Sequence, residues 1–382
     1  MEKWERIKLS EVLKEKTERN KNNETDLVLS VTNSQGFVKQ SDFFEGTVHS
    51  EDISNYKLVR KNEFAYNPSR INVGSIDILK EYDIGALSPM YVIFSVDETR
   101  LLPDYFKYYF QTHRFNENVK NNTQGSVRNS LSFKALSEFE YLLPPLEEQK
   151  RIVKILDQVN KVIEKYQNLI NEKEQFIKSQ FVEIFGNIRS SKFKIDKIEN
   201  IVKLTQGVQI PQSEQYANYS EGLIRYLYIG DLKYADNSAI YVRDIYKEKI
   251  IGKDDLAVVN TGNTSGEVYY GKEGVLSNNL FKISFKEEDF KIEYLYYYLS
   301  SKDFQTILWR QMKEGSQPHL GHKIYGNMKI IIPDIGTQNR FIKISTLIDK
   351  QKFELEKQKQ NYIDLKKGLM QQLLTGKVKL DV

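Results

Sequence analysis

The sequence predicts an α+β chain written twice. Two globular mixed α/β domains are each followed by a long helix, and the two helices pair antiparallel as a coiled coil about a pseudo-twofold internal repeat. Three observations predict this. Residues recur in pairs at one offset of 189 positions, from Pro144 to Pro333. Each recurring block ends in a helical pattern of about 40 residues. In both patterns apolar residues return every seven positions. The boundaries read as a first recognition domain over 1–143, a spacer helix over 144–187, a second domain over 188–332 and a second helix over 333–382.

The offset pairs residues of several kinds. Gln149 falls on Gln338, Arg151 on Arg340, Lys154 on Lys343, Ile155 on Ile344 and Lys161 on Lys350. Upstream, Tyr105, Tyr108, Tyr109 and Phe115 fall on Tyr294, Tyr297, Tyr298 and Phe304, and Ser88 falls on Ser277. A period this long exceeds any solenoid unit, so each copy is a domain plus a connector.

Within each copy, short β-prone runs such as Leu27–Val31, Met90–Phe94 and Phe281–Phe285 are separated by Gly, Asn and Ser turns. Single helices are expected over Pro103–Val119 and Tyr294–Leu308, with aromatics on one face. The long helices come next. Pro144 and Pro145 suit a first turn, where a missing N–H is no loss, and Glu147 and Glu148 favour the positive end of the helix dipole. Gly186 and Gly376 are natural caps at the far ends.

The expected seam is Ile152, Val159 and Tyr166 in the first helix, against Phe341, Ile348, Leu355, Tyr362 and Leu369 in the second. A second row is expected at Ile155, Val162, Leu169 and Phe176, with Ile344 and Leu365 in the other copy. Helices of this length are about 60 Å long and need a partner. Because a whole domain separates them in sequence, they can run antiparallel, giving a rod with a domain at each end.

The composition bounds the chemistry. Net charge is +4, which permits nucleic-acid binding without requiring it. Cysteine is absent, which excludes disulfides, thiolate metal sites and cysteine nucleophiles. The charged start, Met1-Glu2-Lys3-Trp4-Glu5, has no apolar signal region. No apolar run reaches the roughly 18 residues a membrane span needs, so a cytoplasmic protein is expected.

No complete catalytic motif survives inspection. Asn67-Pro68-Ser69-Arg70 lacks the second proline and the aromatic of a base-flipping methyltransferase motif. The stretch Gly266–Glu273 nearly spells a phosphate loop, but Glu273 stands where a hydroxyl should bind magnesium. His49, His113, His319 and His322 form no metal-ligand pattern. Neither a catalytic residue nor a metal site is expected.

What the domains do offer is two polar loops per copy. Asn, Gln and Arg can each make two parallel hydrogen bonds to a base edge, while Lys, Ser and Thr hold phosphates. In the first copy the candidates are Asn67, Ser69, Arg70 and Asn72, then Gln124, Ser126, Arg128 and Asn129. In the second they are Asn260, Thr261, Asn263 and Thr264, then Ser316, Gln317, His319 and Lys323.

Two variable domains alternating with two similar helices, each announced by a strand ending in proline and then a glutamine (Leu143-Pro144 to Gln149; Ile332-Pro333 to Gln338), form a pattern found in a known family. The loop Gly125-Ser126-Val127-Arg128 and the phrase Leu373-Leu374-Thr375-Gly376-Lys377 fit it as well. The chain resembles the specificity subunit of type I restriction-modification systems over essentially its whole length. The resemblance implies double-stranded DNA as ligand, with each domain reading one half of a split site and the helix pair setting the gap. It implies two methyltransferase subunits that bind S-adenosylmethionine, and restriction subunits that use ATP and Mg²⁺. The chain itself would hold no cofactor and catalyse nothing. The second copy departs from the pattern at Asp334 and Thr337, and at His319 in place of the loop arginine. The competing reading is a coiled-coil adaptor between proteins, without DNA contact.

Overall fold

Each repeat opens with a strand that pairs antiparallel with the strand feeding its long helix. In this computed structural model, which describes residues 4–43, 52–123, 130–186, 188–234, 239–252, 254–285, 290–312 and 320–378, Glu5–Lys8 lies on Glu140–Leu143 and Lys194–Lys197 lies on Lys329–Ile332. Glu5 faces Leu143 and Lys194 faces Ile332, so both registers keep the repeat offset.

The chain divides into two units, residues 1–167 with 357–382, and residues 168–356. The first contains a four-stranded antiparallel sheet in the order Leu13–Lys16, Val92–Val96, Phe64–Tyr66, Ile76–Ile78. The second contains the same order: Val202–Gln206, Leu280–Phe285, Leu256–Val259, Val268–Tyr270. Side chains alternate across a strand. Phe64 and Tyr66 enter one core and Ala65 another; Leu256 and Val258 enter one core and Ala257 and Val259 another. Burial on both faces is why these strands read as unbroken apolar runs.

Outside these sheets the units differ. The first adds the hairpin Leu29–Thr32 with Gly36–Lys39 and the pair Lys57–Arg60 with Ile84–Leu87. The second adds a four-stranded sheet in which Leu223–Leu227 runs parallel to Gly274–Leu276. The Gly266–Glu273 stretch contains the strand Val268–Tyr270 and opens no helix.

The single helices expected over Pro103–Val119 and Tyr294–Leu308 are each two. The first divides into Pro103–Tyr109 and His113–Thr123, the second into Ile292–Leu299 and Lys302–Met312. The cause is a hydroxyl at the same place in each repeat. The Thr112 Oγ1 accepts from Phe115 N at 3.2 Å, and the Ser301 Oγ accepts from Phe304 N at 3.3 Å. Each acts as a cap that starts a new helix.

The long helices run Leu146–Phe185 and Ile335–Leu373. Gly186, at φ 71°, takes the left-handed conformation that ends the first. The repeated glutamine fastens each helix to its own domain. Gln149 is fully buried; its Oε1 accepts from Leu102 N at 2.8 Å, and its Nε2 donates to the carbonyls of Arg100 and Pro144, both at 2.8 Å. Gln338 is equally buried; its Oε1 accepts from Lys291 N at 2.9 Å and its Nε2 donates to Pro333 O at 3.0 Å. A second fastening follows about two helical turns on in the first helix and three in the second, where the Tyr108 hydroxyl donates to Asp157 and the Tyr297 hydroxyl to Asp349. Burial, and the carboxylate beside each, hold both phenols well above their usual range.

Within each unit the two helical stretches run antiparallel. In the first unit the Tyr166 and Tyr362 rings lie 5.6 Å apart, and Ile152 and Leu156 share a core with Met370 and Leu373. In the second, Phe181 and Phe185 pack on Phe341, and Glu174 meets Lys352 at 3.0 Å. Ile152, Phe341 and Ile348 are buried, while Val159, Tyr166, Leu355, Tyr362 and Leu369 are half-buried. Of the expected second row, Ile155 and Ile344 pack on the cores and Val162 and Leu169 are half-buried, and the row fails only at Phe176 and Leu365. Phe176 and Leu365 are 45% and 49% exposed. A further row one position on holds Leu156, Ile163, Ile170 and Ile177, and in the other helix Ser345, Lys352, Lys359, Lys366 and Leu373, with Ile163 and the three lysines half-buried and the rest buried. Three lysines in heptad register hid that row from a search for apolar spacing. No helix of the described residues is long and apolar enough to cross a membrane.

Candidate nucleic-acid interface

The first polar loop of each copy connects an inner strand of the main sheet to the edge strand beside it. In the first unit, Asn67 N donates to Ser75 O at 3.1 Å and closes the loop Pro68–Gly74. In the second, Val259 N donates to Glu267 O at 2.9 Å and closes Asn260–Gly266. The loops are equivalent residue for residue and end on matched glycines, Gly74 at φ 91° and Gly266 at φ 95°. A side chain is disfavoured at such angles, which is why glycine ends both loops.

A backbone hydrogen bond joins this loop to the second polar segment. Leu131 N donates to Pro68 O at 3.0 Å, and Leu320 N donates to Asn260 O at 2.8 Å. Leu131 follows by one residue, and Leu320 directly, the stretches that contain Gln124, Ser126, Arg128 and Asn129, and Ser316, Gln317 and His319; these seven candidates fall outside the described residues. In the first unit the clamp is doubled, because the Tyr66 hydroxyl donates to Leu131 O at 3.2 Å. Burial holds this phenol well above its usual range, so it remains a neutral donor. The two loops per copy, separate in sequence, are thus tied together at their bases.

The described candidates divide by exposure. Asn67 is buried, and its Oδ1 accepts from Ser69 N at 3.0 Å, an Asx turn that shapes the loop. Asn260 is 1% exposed and its Nδ2 donates to Asn278 O at 3.2 Å. Asn67 thus spends a hydrogen bond on its own loop, whereas Asn260 bonds the neighbouring turn at Asn278 and its buried Oδ1 has no partner among the described residues. Ser69, Arg70, Asn72 and Asn263 are exposed, Thr261 and Thr264 are half-buried, and Lys323 is exposed on the helix His322–Asn327. Arg70 has no ion-pair partner among the described residues.

Side chains that the sequence did not single out stand beside the second loop. Gln305 Nε2 donates to Gly266 O at 2.8 Å and to Leu299 O at 2.7 Å, fixing the helix Lys302–Met312 against the loop. A hollow of about 360 Å³ opens there, lined by Asn263, Thr264, Ser265, Gln305 and Trp309. The available signal was Trp309, one of two tryptophans in the chain. No group of three or more His, Asp or Glu among the described residues is arranged to hold a metal ion.

Comparison with known proteins gives concordant findings. The family model described as the type I restriction modification DNA specificity domain matches twice, over residues 1–175 and 190–365. The MjaVIII specificity subunit of a type I restriction enzyme from Methanocaldococcus jannaschii is 28% identical over 205 residues, 53% of this chain. The match spans only 46% of that relative's length. Two solved structures share the fold. One belongs to a study of complex assembly and conformational transition in a type I R-M system, with TM-score 0.60 at 11% identity, covering 98% of each chain. The other is the S subunit of a type I restriction-modification system from M. genitalium, with TM-score 0.54 at 14% identity, covering 99% of this chain and 97% of that one.

Proposed function

Because the chain belongs to the family of type I restriction-modification DNA specificity domains, we propose that it is the sequence-reading subunit of such a complex, recognising a bipartite, asymmetric duplex DNA site. The observation that carries this reading is the doubled loop pair. Each unit has a polar loop closed on an αL glycine and tied by one backbone hydrogen bond to the segment ahead of the long helix. An adaptor that bound only proteins would have no use for two such sites.

The loop contents support asymmetry. At matched positions the first unit has Ser69, Arg70 and Asn72 where the second has Thr261, Gly262 and Thr264. Hydrogen-bond donors and acceptors in different positions select different base edges, so the two half-sites differ. Exposed Arg70 and Lys323 supply phosphate or guanine contacts, and the hydroxyls of Ser69, Thr261 and Thr264 supply phosphate contacts.

The chain's role is recognition and scaffolding. Two methyltransferase subunits dock on it and carry S-adenosylmethionine, restriction subunits use ATP and Mg²⁺, and the chemistry is theirs. Exchanging residues 188–332 for another domain of this kind, followed by methylation-sensitive sequencing of DNA modified by the assembled complex, tests this directly. One half-site should change and the other persist. A change in both half-sites would end the modular reading. Failure to shift duplex DNA in a gel at any salt concentration, with or without the methyltransferase, would return the adaptor.

A further inference from the structure

The second unit carries a feature that the described residues of the first lack. The helices His113–Thr123 and Lys302–Met312 occupy matched places at the repeat offset, and both lead into the second polar segment of their unit. Their exposed faces differ in chemistry. The second presents Lys302, Thr306, Trp309 and Arg310, three or four residues apart and so on one face of the helix. The matched residues in the first are His113, Glu117, Lys120 and Asn121, with His113 Nδ1 3.3 Å from the Glu117 carboxylate.

Three observations give the second face a direction. Lys302, Thr306 and Arg310 are exposed, and neither cation has an ion-pair partner among the described residues. Trp309 is half-buried, with its apolar part against the core. Its indole N–H, which can only donate, has no hydrogen-bond partner among the described residues. The same tryptophan and Gln305 line two adjoining hollows, one bordered by the loop residues Asn263 and Thr264 and by Glu267, whose carboxylate pairs with Lys233 at 3.7 Å and accepts from the Tyr269 hydroxyl, and the other by Lys302, Thr306 and Arg310. A groove holding free donors, positive charge and one flat ring therefore starts at the reading loop and continues along the helix.

We infer that this groove is an anchoring site for the sugar-phosphate backbone of duplex DNA beside the second half-site, with no equivalent among the described residues of the first unit. The inference rests on the DNA-reading function proposed above and adds a site to it. Lys302 and Arg310 lie about 12 Å apart along the helix axis at 1.5 Å per residue. That distance spans three to four nucleotide steps at about 3.4 Å each. The two cations meet phosphates, the Thr306 hydroxyl and Trp309 N–H donate to phosphate oxygens, and the indole face covers a sugar. In the first unit the Glu117 carboxylate would repel the same strand. The second unit therefore supplies the larger share of sequence-independent affinity.

Trp309 also provides the readout. With Trp4→Phe, the full-length chain has a single tryptophan. Titration with mixed-sequence duplex DNA should change Trp309 emission, and the midpoint should move to higher DNA concentration as salt rises. Lys302→Ala and Arg310→Ala should each lower the slope of log affinity against log salt by about one, the loss of one phosphate contact. Lys120→Ala, at the position matched to Trp309, should leave the slope unchanged. In the otherwise native chain, Trp309→Phe should abolish the emission change, which keeps the assignment testable if Trp4→Phe folds poorly. A duplex that shifts the chain in a gel while Trp309 emission and both slopes stay constant would overturn the anchor and leave DNA reading standing. A chain that shifts no duplex would overturn both.

Discussion

The loops Pro68–Gly74 and Asn260–Gly266 share a frame and almost none of their surface. Both are closed by one backbone hydrogen bond, end on a left-handed glycine and are tied to the residue after the second polar segment. Between those fixed points the first carries Ser69, Arg70 and Asn72 and the second carries Thr261, Gly262, Asn263 and Thr264. The difference shows where the duplicated chain is free to vary. Contacts that use backbone or glycine are kept in both copies, and side chains within the loops are not. Changes to the frame should therefore act alike in the two units, and changes to the surface should act in one.

The buried glutamines give the largest test of the shared frame. Gln149→Leu would strand the Leu102 N–H and the Arg100 and Pro144 carbonyls, and Gln338→Leu would strand the Lys291 N–H and the Pro333 carbonyl. Each buried group left without a partner costs about 1–3 kcal/mol. Only the bonds to the Pro144 and Pro333 carbonyls are fully buried, so both substitutions should lower unfolding free energy by about 1–3 kcal/mol, read from denaturant midpoints. If one were neutral, the fastening would belong to a single copy and the symmetry of the frame would fail.

The paired glycines come next and sharpen the comparison. Alanine at either φ carries a strain of about 1–2 kcal/mol. At Gly74 the added methyl would meet nothing nearer than 3.9 Å. At Gly266 it would lie 2.7 Å from Leu308 Cδ2 and 3.0 Å from Gln305 Oε1. Gly266→Ala should thus be the more destabilising of the two, and it should loosen the helix that carries Trp309. Equal melting temperatures for the two variants would contradict the packing described for the second loop.

How much of this was legible in the sequence depends on the distance over which each cause acts. The repeat, the strand that ends in proline and the glycine stops show up because local backbone rules choose those residues. Gln149 and Gln338 were visible as a repeated pair, but their role was not, since Leu102 and Lys291 are 47 residues away in each case. The loop equivalence was blurred for another reason. The strands flanking the loops match at an offset of 192, from Phe64 to Leu256, whereas the pair Phe94 and Ile283 keeps 189. The helix breaks at Thr112 and Ser301 were missed because a single hydroxyl interrupts an otherwise continuous apolar pattern. The inward lysines 352, 359 and 366 were missed because a hydrophobic search discards them. Asn67 and Asn260 were found, but composition alone cannot separate an amide that reads a base from one that builds a turn.

A smaller effect is expected at the surface of the first loop. Arg70→Ala removes one exposed cation from one unit, so it should weaken duplex binding and lower the salt slope by about one. Folding stability should be unchanged, because the guanidinium makes no ion pair among the described residues. Sequencing of methylated sites would then show relaxed selection in a single half-site. Relaxation in both would mean that the two loops do not read independently.

The smallest expected difference lies where the two long helices begin. The first starts with Pro144-Pro145 and the second with Pro333-Asp334. Asp334 caps its helix: Oδ1 accepts from Thr337 N at 2.8 Å and Oδ2 from Thr337 Oγ1 at 2.7 Å. These bonds hold its carboxyl below the ordinary 3.8. A carboxyl depressed by folding adds stability at pH values above its unfolded pKa, and that contribution fades as pH falls through the folded one. Asn caps a helix about as well as Asp but does not titrate. Asp334→Asn should therefore match the native chain closely near neutrality and lose less stability below pH 3.8, while the proline start of the first helix adds no titrating cap of its own. Urea midpoints taken at neutral pH and again below 3.8 would decide it, because an unchanged gap between variant and native chain at the two values would remove the cap from any account of acid sensitivity.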